Sequence, residues 1–290
     1  MKKKPPVYLR LLIALIVCAA LLCCASAVVC TYSLSVKEYT IPIEGIRQDI
    51  RIAVISDLHS RRFGRDNERL LSAVAAQEPA AVFCLGDMIN NDADAADLEE
   101  LCAFLRNLQN IAQVYYTLGN TEMDCPLGPE RVLAAVNETG AIAMLDDYLE
   151  TEIGGNRVNV GFTMGHYKYY SRKLMTAAPD YVMEKSVGSD GTPAIVLRHM
   201  PEGFFADGHE TWTGDLYLCG HTHGGLFRIP RIGGVYAPNQ GFFPKYDRGL
   251  YHFDDGKYTM IINAGLAGRG RVPRIFNMPE VSVITLTGTG

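Results

Sequence analysis

The sequence predicts an α/β fold with two β-sheets. In the first half of its 290 residues, short apolar runs alternate with segments whose apolar residues recur every three to four positions, which is typical of strands alternating with amphipathic helices. In the second half most segments are strands. No internal repeat and no low-complexity linker interrupts residues 31–290, so we expect these elements to form one compact domain.

The predicted elements follow one another from residue 51 onward. The first half is predicted to contain strands at 51–56, 80–85 and 113–118, and helices at 65–77, 94–109 and 129–139, the last ended by Gly140. The second half is predicted to contain one helix around 171–185 and strands at 158–164, 194–199, 215–220, 249–253, 258–263 and 281–286. Asp255 and Gly256 are typical of a hairpin turn between two of these strands.

The first thirty residues differ in composition from the rest. Three lysines and Arg10 precede an uncharged run of nineteen residues at 11–29. At a rise of about 1.5 Å per residue, this run spans roughly the ~30 Å hydrocarbon core of a bilayer. Positive charge before the run predicts that the N-terminus stays in the cytoplasm. We therefore expect a cytoplasmic stub and transmembrane signal anchor at 1–30, a connector with an edge strand at 31–48, and an extracytoplasmic domain at 49–290.

A cleaved signal peptide is the alternative for this segment. Ala25, Ser26 and Ala27 have the small-x-small form of a cleavage site. The apolar run is longer than the ~7–15 residues of a typical signal peptide, which favours a retained anchor. Both alternatives place the domain outside the cytoplasm. A core helix is disfavoured because the run lies at the terminus behind lysines.

Charge and cysteine content exclude two classes of protein. The whole chain has a formal charge of −5 and its first thirty residues carry +4, so residues 31–290 carry −9. An acidic domain is a poor match for nucleic acid, and we predict no nucleic-acid partner. None of the eight cysteines forms a C-x-x-C pair, which disfavours a zinc ribbon. Cys84 and Cys219 lie in apolar runs and are interpreted as buried hydrophobic residues.

Polar side chains follow five of the predicted strands, at the point where each strand ends. They are Asp57 and His59, Asp87, Asn120, His199, and His221 and His223. In open α/β sheets, ligands bind beyond the carboxyl ends of the strands. Imidazole, carboxylate and amide oxygen together suit divalent metals such as Mn, Fe or Zn. A single Asp or His in such a place is usually a cap or a solvated group, but seven together predict a metal site.

Two of these segments place their polar residues two positions apart. Asp57 and His59 form one pair, and His221 and His223 form the other. In an extended strand, side chains at i and i+2 share a face, so we expect each pair to point to the same side. The glycines around the second pair leave space for two metals and a substrate.

In their order and spacing, these motifs resemble those of the calcineurin-like metallophosphoesterases. The family pattern is DxH, GD, GN followed by His and an acid, a lone His, and GHxH. Here the motifs are DLH at 57–59, GD at 86–87, GNTE at 119–122, His199, and GHTH at 220–223. The segment 262–286 is similar to the membrane-anchored or exported bacterial branch, which includes the YkuE-like phosphoesterases.

The resemblance implies a four-layer αββα sandwich with two mixed sheets and two divalent metal ions. By that resemblance, the first metal is held by Asp57, His59 and His223, the second by Asn120, His199 and His221, and Asp87 bridges them. A hydroxide bound to the two metals would attack phosphorus in line. The implied activity is hydrolysis of a phosphoester or pyrophosphate, in a phosphorylated small molecule or a lipid-linked substrate.

One position departs from the family pattern. Thr121 stands where the family has a histidine that assists the leaving group, and a threonine hydroxyl is no acid near neutral pH. Three interpretations stay open. The substrate has a good leaving group, or another residue such as His166 substitutes, or the domain is a slow or inactive metal-binding module. Elsewhere, Glu122 is interpreted as structural. Arg269, Arg271 and Arg274 are interpreted as a solvated basic loop or as a site for phosphate or a lipid head group.

Overall fold

The computed structural model describes residues 6–165, 182–205, 211–268 and 272–289. The helices are α1 (Val7–Tyr32), α2 (Glu68–Ala75), α3 (Ala95–Gln109), α4 (Asn120–Asp124), α5 (Pro129–Asn137) and α6 (Val182–Ser186). The strands are β1 (Ser35–Pro42), β2 (Ile50–Ile55), β3 (Ala81–Cys84), β4 (Gln113–Thr117), β5 (Ile142–Met144), β6 (Asp147–Ile153), β7 (Asn156–Thr163), β8 (Ala194–Arg198), β9 (Leu216–Cys219), β10 (Arg228–Ile229), β11 (Gly233–Gly234), β12 (Tyr236–Ala237), β13 (Gly241–Phe242), β14 (Gly249–Phe253), β15 (Tyr258–Ile262) and β16 (Glu280–Thr287).

Two mixed sheets of six strands each form the centre of the fold. The first has the order β1-β16-β2-β3-β4-β5, in which only the pair β16 and β2 is antiparallel. The second has the order β14-β15-β9-β8-β7-β6, in which the two outermost strands are antiparallel to their neighbours. The parallel strands β2, β3, β4, β8 and β9 bring their carboxyl ends to one edge of the sandwich.

Apolar side chains fill the spaces between four layers. Residues such as Ile52 and Phe83 from the first sheet pack against Val160 and Leu197 from the second. A second cluster lies between the first sheet and helices α2, α3 and α5. A third covers the outer face of the second sheet, with α6 contributing Met183. The αββα sandwich that the family resemblance implies is therefore confirmed, and Cys84 and Cys219 are both buried.

The predicted strands and helices recur with small shifts in their ends, but several elements were not predicted. Strand β6 has the sequence DYLETEI and is half exposed at a sheet edge, so its apolar pattern is weak. The two-residue strands β10 to β13 are too short to produce a pattern. The predicted hairpin turn is a 3₁₀ turn at Asp254–Gly256. Of the helix predicted around 171–185, only α6 lies within the described residues.

The N-terminal helix α1 is 26 residues long. Its most apolar 18-residue stretch has a mean hydropathy of 2.9 and contains no buried residue. Among the described residues it is the one helix long and apolar enough to cross a membrane. Strand β1 follows at once and pairs with β16 along its whole length. The helix is thus joined to the first sheet by only two residues, Ser33 and Leu34.

Candidate metal centre

The strand ends bring the predicted polar residues together in two groups. Within each group, the nearest side-chain nitrogen or oxygen atoms all lie within 4.8 Å of one another. We call Asp57, His59 and His223 the first group, and Asp87, His199 and His221 the second group. Asn120 lies beside the second group, with its Oδ1 3.2 Å from His199 Nε2.

The side chains do not reach these positions by continuing the strands. Asp57, His59, His221 and His223 all have positive φ angles, between 48° and 67°, so the chain turns left-handed at each. The extended strand geometry on which the expectation for His221 and His223 rested is therefore absent, and the two residues belong to different groups. Asp57 and His59 do share a group, but they reach it through tight turns instead of strand geometry.

Asp87 belongs to the second group but also lies close to the first. Its Oδ2 is 3.6 Å from His59 Nε2, and its Oδ1 is 3.4 Å from His199 Nε2. The preceding strand ends at Cys84, and the neighbouring loop comes very close at Gly119, where a Cβ would lie 2.2 Å from Asp87 Oδ1. Only glycine permits this approach. The carboxylate is thus placed where it could contact two cations at once.

The imidazole rings are oriented as metal ligands usually are. His199 Nδ1 is 2.6 Å from the Leu85 carbonyl oxygen, and His223 Nδ1 is 3.2 Å from that of Ala267. In each ring, an Nδ1–H group donates to the carbonyl oxygen, and Nε2 is the atom directed toward a cation. His59 Nε2 is buried with no hydrogen-bond partner among the described residues. This donor set fits divalent metal ions.

The two groups differ in electrostatics. Burial lowers the pKa of His223 to about 4, although Asp57 opposes the shift. Burial also lowers the pKa of His199, but the Asp87 carboxylate more than reverses this and the result is a pKa of about 10. Burial raises the pKa of Asp87, yet the surrounding histidines, His199 foremost, bring it below its usual range. A cation in the second group would take the place of the proton on His199.

Glu122 ties the loop after β3 to the loop after β4. Its buried carboxylate accepts hydrogen bonds from the backbone N–H groups of Asp87 (2.8 Å), Met88 (2.6 Å) and Gly119 (2.9 Å), and from the Tyr116 hydroxyl (2.9 Å). Burial and the nearby Asp87 raise the pKa of Glu122. The side chain supports the metal centre without facing its opening, which agrees with the structural interpretation.

Thr121 is occupied by contacts within the protein. Its backbone N–H donates to Asp87 Oδ1 at 2.8 Å, and its hydroxyl lies 3.0 Å from the same atom and 2.7 Å from the Ile89 carbonyl oxygen. The side chain is nearly buried, at 8% exposure. Thr121 therefore positions Asp87. The substitute proposed from the sequence, His166, lies outside the described residues.

Two contributors were missed or misjudged in the sequence. Asn239, on the loop between β12 and β13, places Nδ2 3.2 Å from His221 Nε2; a lone Asn in a turn offers no signal for this. Arg274 is not solvated. It is buried and donates to the carbonyl of Ala267, which also contacts His223, and to that of Ala264. Arg269 and Arg271 lie outside the described residues.

Comparison with known families agrees with this geometry. The profile described as calcineurin-like phosphoesterase matches residues 50–225, which contain every predicted ligand. The chain belongs to the calcineurin-like phosphoesterase family. The family membership that the motifs predict is thereby confirmed, and the inactive binding module is not favoured.

Similar proteins carry related names. A metallophosphoesterase of Campylobacter jejuni is 26% identical over 263 residues, covering 87% of this chain and 63% of that protein. The metallophosphoesterase YkuE of Bacillus subtilis is 35% identical over 117 residues, 40% of this chain and 38% of YkuE. The phosphodiesterase YaeI of Escherichia coli is 41% identical over 95 residues, 32% of each chain. This chain thus spans less than two thirds of the length of these relatives.

Proposed function

We propose that the protein hydrolyses a phosphoester or phosphoanhydride bond at a dinuclear metal centre outside the cytoplasm. The observation that carries the proposal is the Asp87 carboxylate, which lies between two buried groups of imidazole and carboxylate ligands. Asp57, His59 and His223 would hold one cation, Asn120, His199 and His221 the other, and Asp87 would contact both. The donors suit Mn, Fe or Zn.

The chemistry divides between the cations and the chain. Two divalent cations would lower the pKa of water and offset negative charge on the phosphoryl group. Hydrolysis forms one bond from a water oxygen to phosphorus, breaks the bond to the leaving group, and leaves a proton to be transferred. Glu122 and Thr121 hold Asp87 in place, and the Asn239 amide beside His221 is positioned to donate to a phosphoryl oxygen.

The position of Thr121 favours a substrate with a good leaving group. General acid catalysis typically contributes about 10²–10⁴-fold, and the Thr121 hydroxyl is already engaged with Asp87 and Ile89. A phosphoanhydride or a phosphodiester of an acidic alcohol needs less protonation than an ordinary alkyl phosphate. The similarity to a phosphodiesterase makes the diester the first bond to test.

The proposed location rests on the N-terminal helix. We propose that α1 is a retained single-pass anchor, with Lys2 to Lys4 and Arg10 on the cytoplasmic side. Ser26, which cleavage after Ala27 would remove, accepts a hydrogen bond from the Phe276 backbone N–H, which favours retention. The substrate would then be a phosphorylated small molecule or a lipid-linked compound at the outer face of the cell membrane.

The full chain in detergent, loaded with Mn²⁺, tests this proposal. Hydrolysis is measured with a chromogenic phosphomonoester, phosphodiester and pyrophosphate, with Asp87→Ala as the blank. Turnover that disappears in the variant supports the two-metal hydrolase, and the preferred bond narrows the substrate class. Equal inertness of both proteins, with two metals bound to the wild type, would contradict it. A large gain in Thr121→His would mean that the site lacks only an acid.

A further inference from the structure

The metal centre opens beside the end of the apolar helix. A cavity of about 350 Å³ is lined by His59, Asn90 and Arg61 on the domain side and by Cys30 and Thr31 from the last turn of α1. A molecule that approaches the first group through this cavity therefore passes the anchor.

The last turns of α1 are bound to the domain. Phe276 donates its backbone N–H to Ser26 Oγ at 2.6 Å, and the Arg61 guanidinium donates to the Thr31 carbonyl. Arginine at this place satisfies a carbonyl that the helix end leaves free and complements the helix dipole. Cys30 is 2% exposed. These contacts fix how the domain sits against the helix axis.

The contact at Ser26 also sets the depth of the Phe276 segment relative to the bilayer. Ser26 lies three residues before the end of the uncharged run at 11–29, which is about 4.5 Å along a helix. With this run in the hydrocarbon core, the backbone of Phe276 is held at the bilayer surface. The segment around Phe276 must then face lipid head groups or the upper acyl chains.

Several large apolar side chains in the segments 232–243 and 272–278 are exposed. We call them the apolar rim: Ile232 (69% exposed), Phe242 (75%), Phe243 (62%), Val272 (53%), Phe276 (39%) and Met278 (41%). Soluble surfaces rarely collect so many large apolar groups unless they contact a partner or a membrane, and aromatic residues are typical of the membrane–water interface.

Contacts link the segment of the rim beside the anchor to the hairpin beside the metal centre. The Phe276 ring packs on Phe227 at 6.5 Å between centroids. The Phe227 carbonyl accepts a hydrogen bond from Val235, whose own carbonyl accepts one from Phe243. Phe243 directly follows β13, which ends the short hairpin that carries Asn239 to His221.

The rim and the surrounding charges suit a phospholipid. Val272 lines the same cavity as His59, so apolar surface lies beside the first group. A neighbouring cavity of about 780 Å³ combines Val29 and Met278 with three basic side chains and one acidic side chain: Lys37, Arg228, Arg248 and Glu280. Apolar walls beside basic side chains match acyl chains beside phosphate.

We propose that the apolar rim rests on the bilayer that α1 spans, and that the substrate is a phosphorylated lipid whose head group enters the metal centre while its tail stays in the membrane. The bilayer is favoured over a protein partner because the rim begins at the anchor itself. The assignment of substrate rests on the proposed function, whereas the membrane contact of the rim does not.

Depth-dependent fluorescence quenching tests the membrane contact. The full chain is reconstituted in phosphatidylcholine vesicles with or without brominated acyl chains, as Phe242→Trp and as a matched control, Tyr148→Trp. Tyr148 is 37% exposed on β6, at the opposite edge of the sandwich from α1 and the rim, and native Trp212 is buried in both. We expect brominated lipid to quench at least half of the added emission in F242W and none in Y148W. Equal quenching, or none in either, would overturn the proposal.

A pair of substrates tests the proposal that the substrate is a phosphorylated lipid. Hexadecyl p-nitrophenyl phosphate in phosphatidylcholine vesicles and ethyl p-nitrophenyl phosphate in solution have the same reacting bond and leaving group. In the double variant Phe242→Ser, Phe243→Ser, we expect the ratio of the hexadecyl rate to the ethyl rate to fall at least tenfold. An unchanged ratio would overturn the lipid assignment. Wild type that is inert on both substrates with two metals bound would refute the proposed function, and the quenching result would still decide the membrane contact.

Discussion

The first and second ligand groups use the same residue types in different surroundings. The His59 side chain of the first group is 13% exposed and lines the cavity beside α1, whereas His199 of the second group is fully buried. His223 is kept neutral by burial, while His199 retains a proton because Asp87 lies beside it. The first group is therefore built to meet an incoming molecule, and the second is a buried ion pair that a cation must enter by displacing a proton.

The largest effect is expected where the two groups meet. Asp87→Ala removes the one carboxylate that contacts both, so the rate of hydrolysis should fall by about 10³-fold or more. His221→Ala and His223→Ala should each lose one of two bound metals. Steady-state assays and elemental analysis of metal content measure this. Two metals and a normal rate in the Asp87 variant would remove the shared carboxylate from the mechanism.

A second prediction concerns the support beneath the second group. In Glu122→Gln, an amide NH₂ would face backbone N–H groups that donate to a carboxylate in the wild type. The free energy of unfolding should therefore fall by about 2–3 kcal/mol. Exposed Glu138→Gln on the C-terminus of α5 is the matched control, with a change below about 0.5 kcal/mol. Urea denaturation of both variants measures the difference. Similar values would mean that Glu122 does not hold the loops.

A third prediction concerns the number of protons that each group releases when it binds a metal ion. His199 has a pKa of about 10, so at pH 7.5 it carries a proton that a metal must displace, and affinity should fall about tenfold per pH unit toward acid. His223, with a pKa of about 4, is already neutral and releases none.

Calorimetry in buffers of different ionisation enthalpy counts the protons. His223→Ala leaves the second group as the main site, and His221→Ala leaves the first. We expect about one more proton released by the second group than by the first. Equal proton release would contradict the difference between the groups.

The smallest effect is expected at Thr121. Thr121→Val removes the hydroxyl that lies 3.0 Å from Asp87 Oδ1 but keeps the backbone hydrogen bond to that atom, so the rate should fall only a few-fold, about 1 kcal/mol in activation free energy. Thr121→Ser keeps the hydroxyl and should stay within about twofold of the wild type. Comparison of kcat for the two variants checks this. Equal loss in both would indicate that the methyl group matters and the hydroxyl does not.

Much of the fold could be predicted from the sequence because local signals there are strong. Buried parallel strands such as β3 and β8 have short, continuous apolar sequences. Helix α3 has a clear apolar stripe and is capped by Asp94. Strand β6 was missed because an exposed edge strand needs few apolar residues. The candidate ligands were visible because each directly follows such a run.

The backbone geometry that arranges those ligands could not be predicted from local sequence patterns. The i, i+2 argument for His221 and His223 failed because contacts from other loops set their backbone turns; for example, the Asp57 carboxylate accepts the His221 N–H. Arg274 was misjudged because its carbonyl partners lie in a loop that curls back around it. Asn239 contacts the site only through a hairpin without sequence signal.

By itself, the sequence determined the α/β class, the apolar N-terminal helix and the residues that end the strands, since each depends on neighbours within a few positions. Only the tertiary structure decided how the backbone turns at those residues, which contacts engage the Thr121 hydroxyl, and where the apolar rim meets the anchor. The physical reason is distance along the chain. The hydrogen bond between Ser26 and Phe276 joins residues 250 positions apart, and such a contact exists only when the whole sandwich has packed.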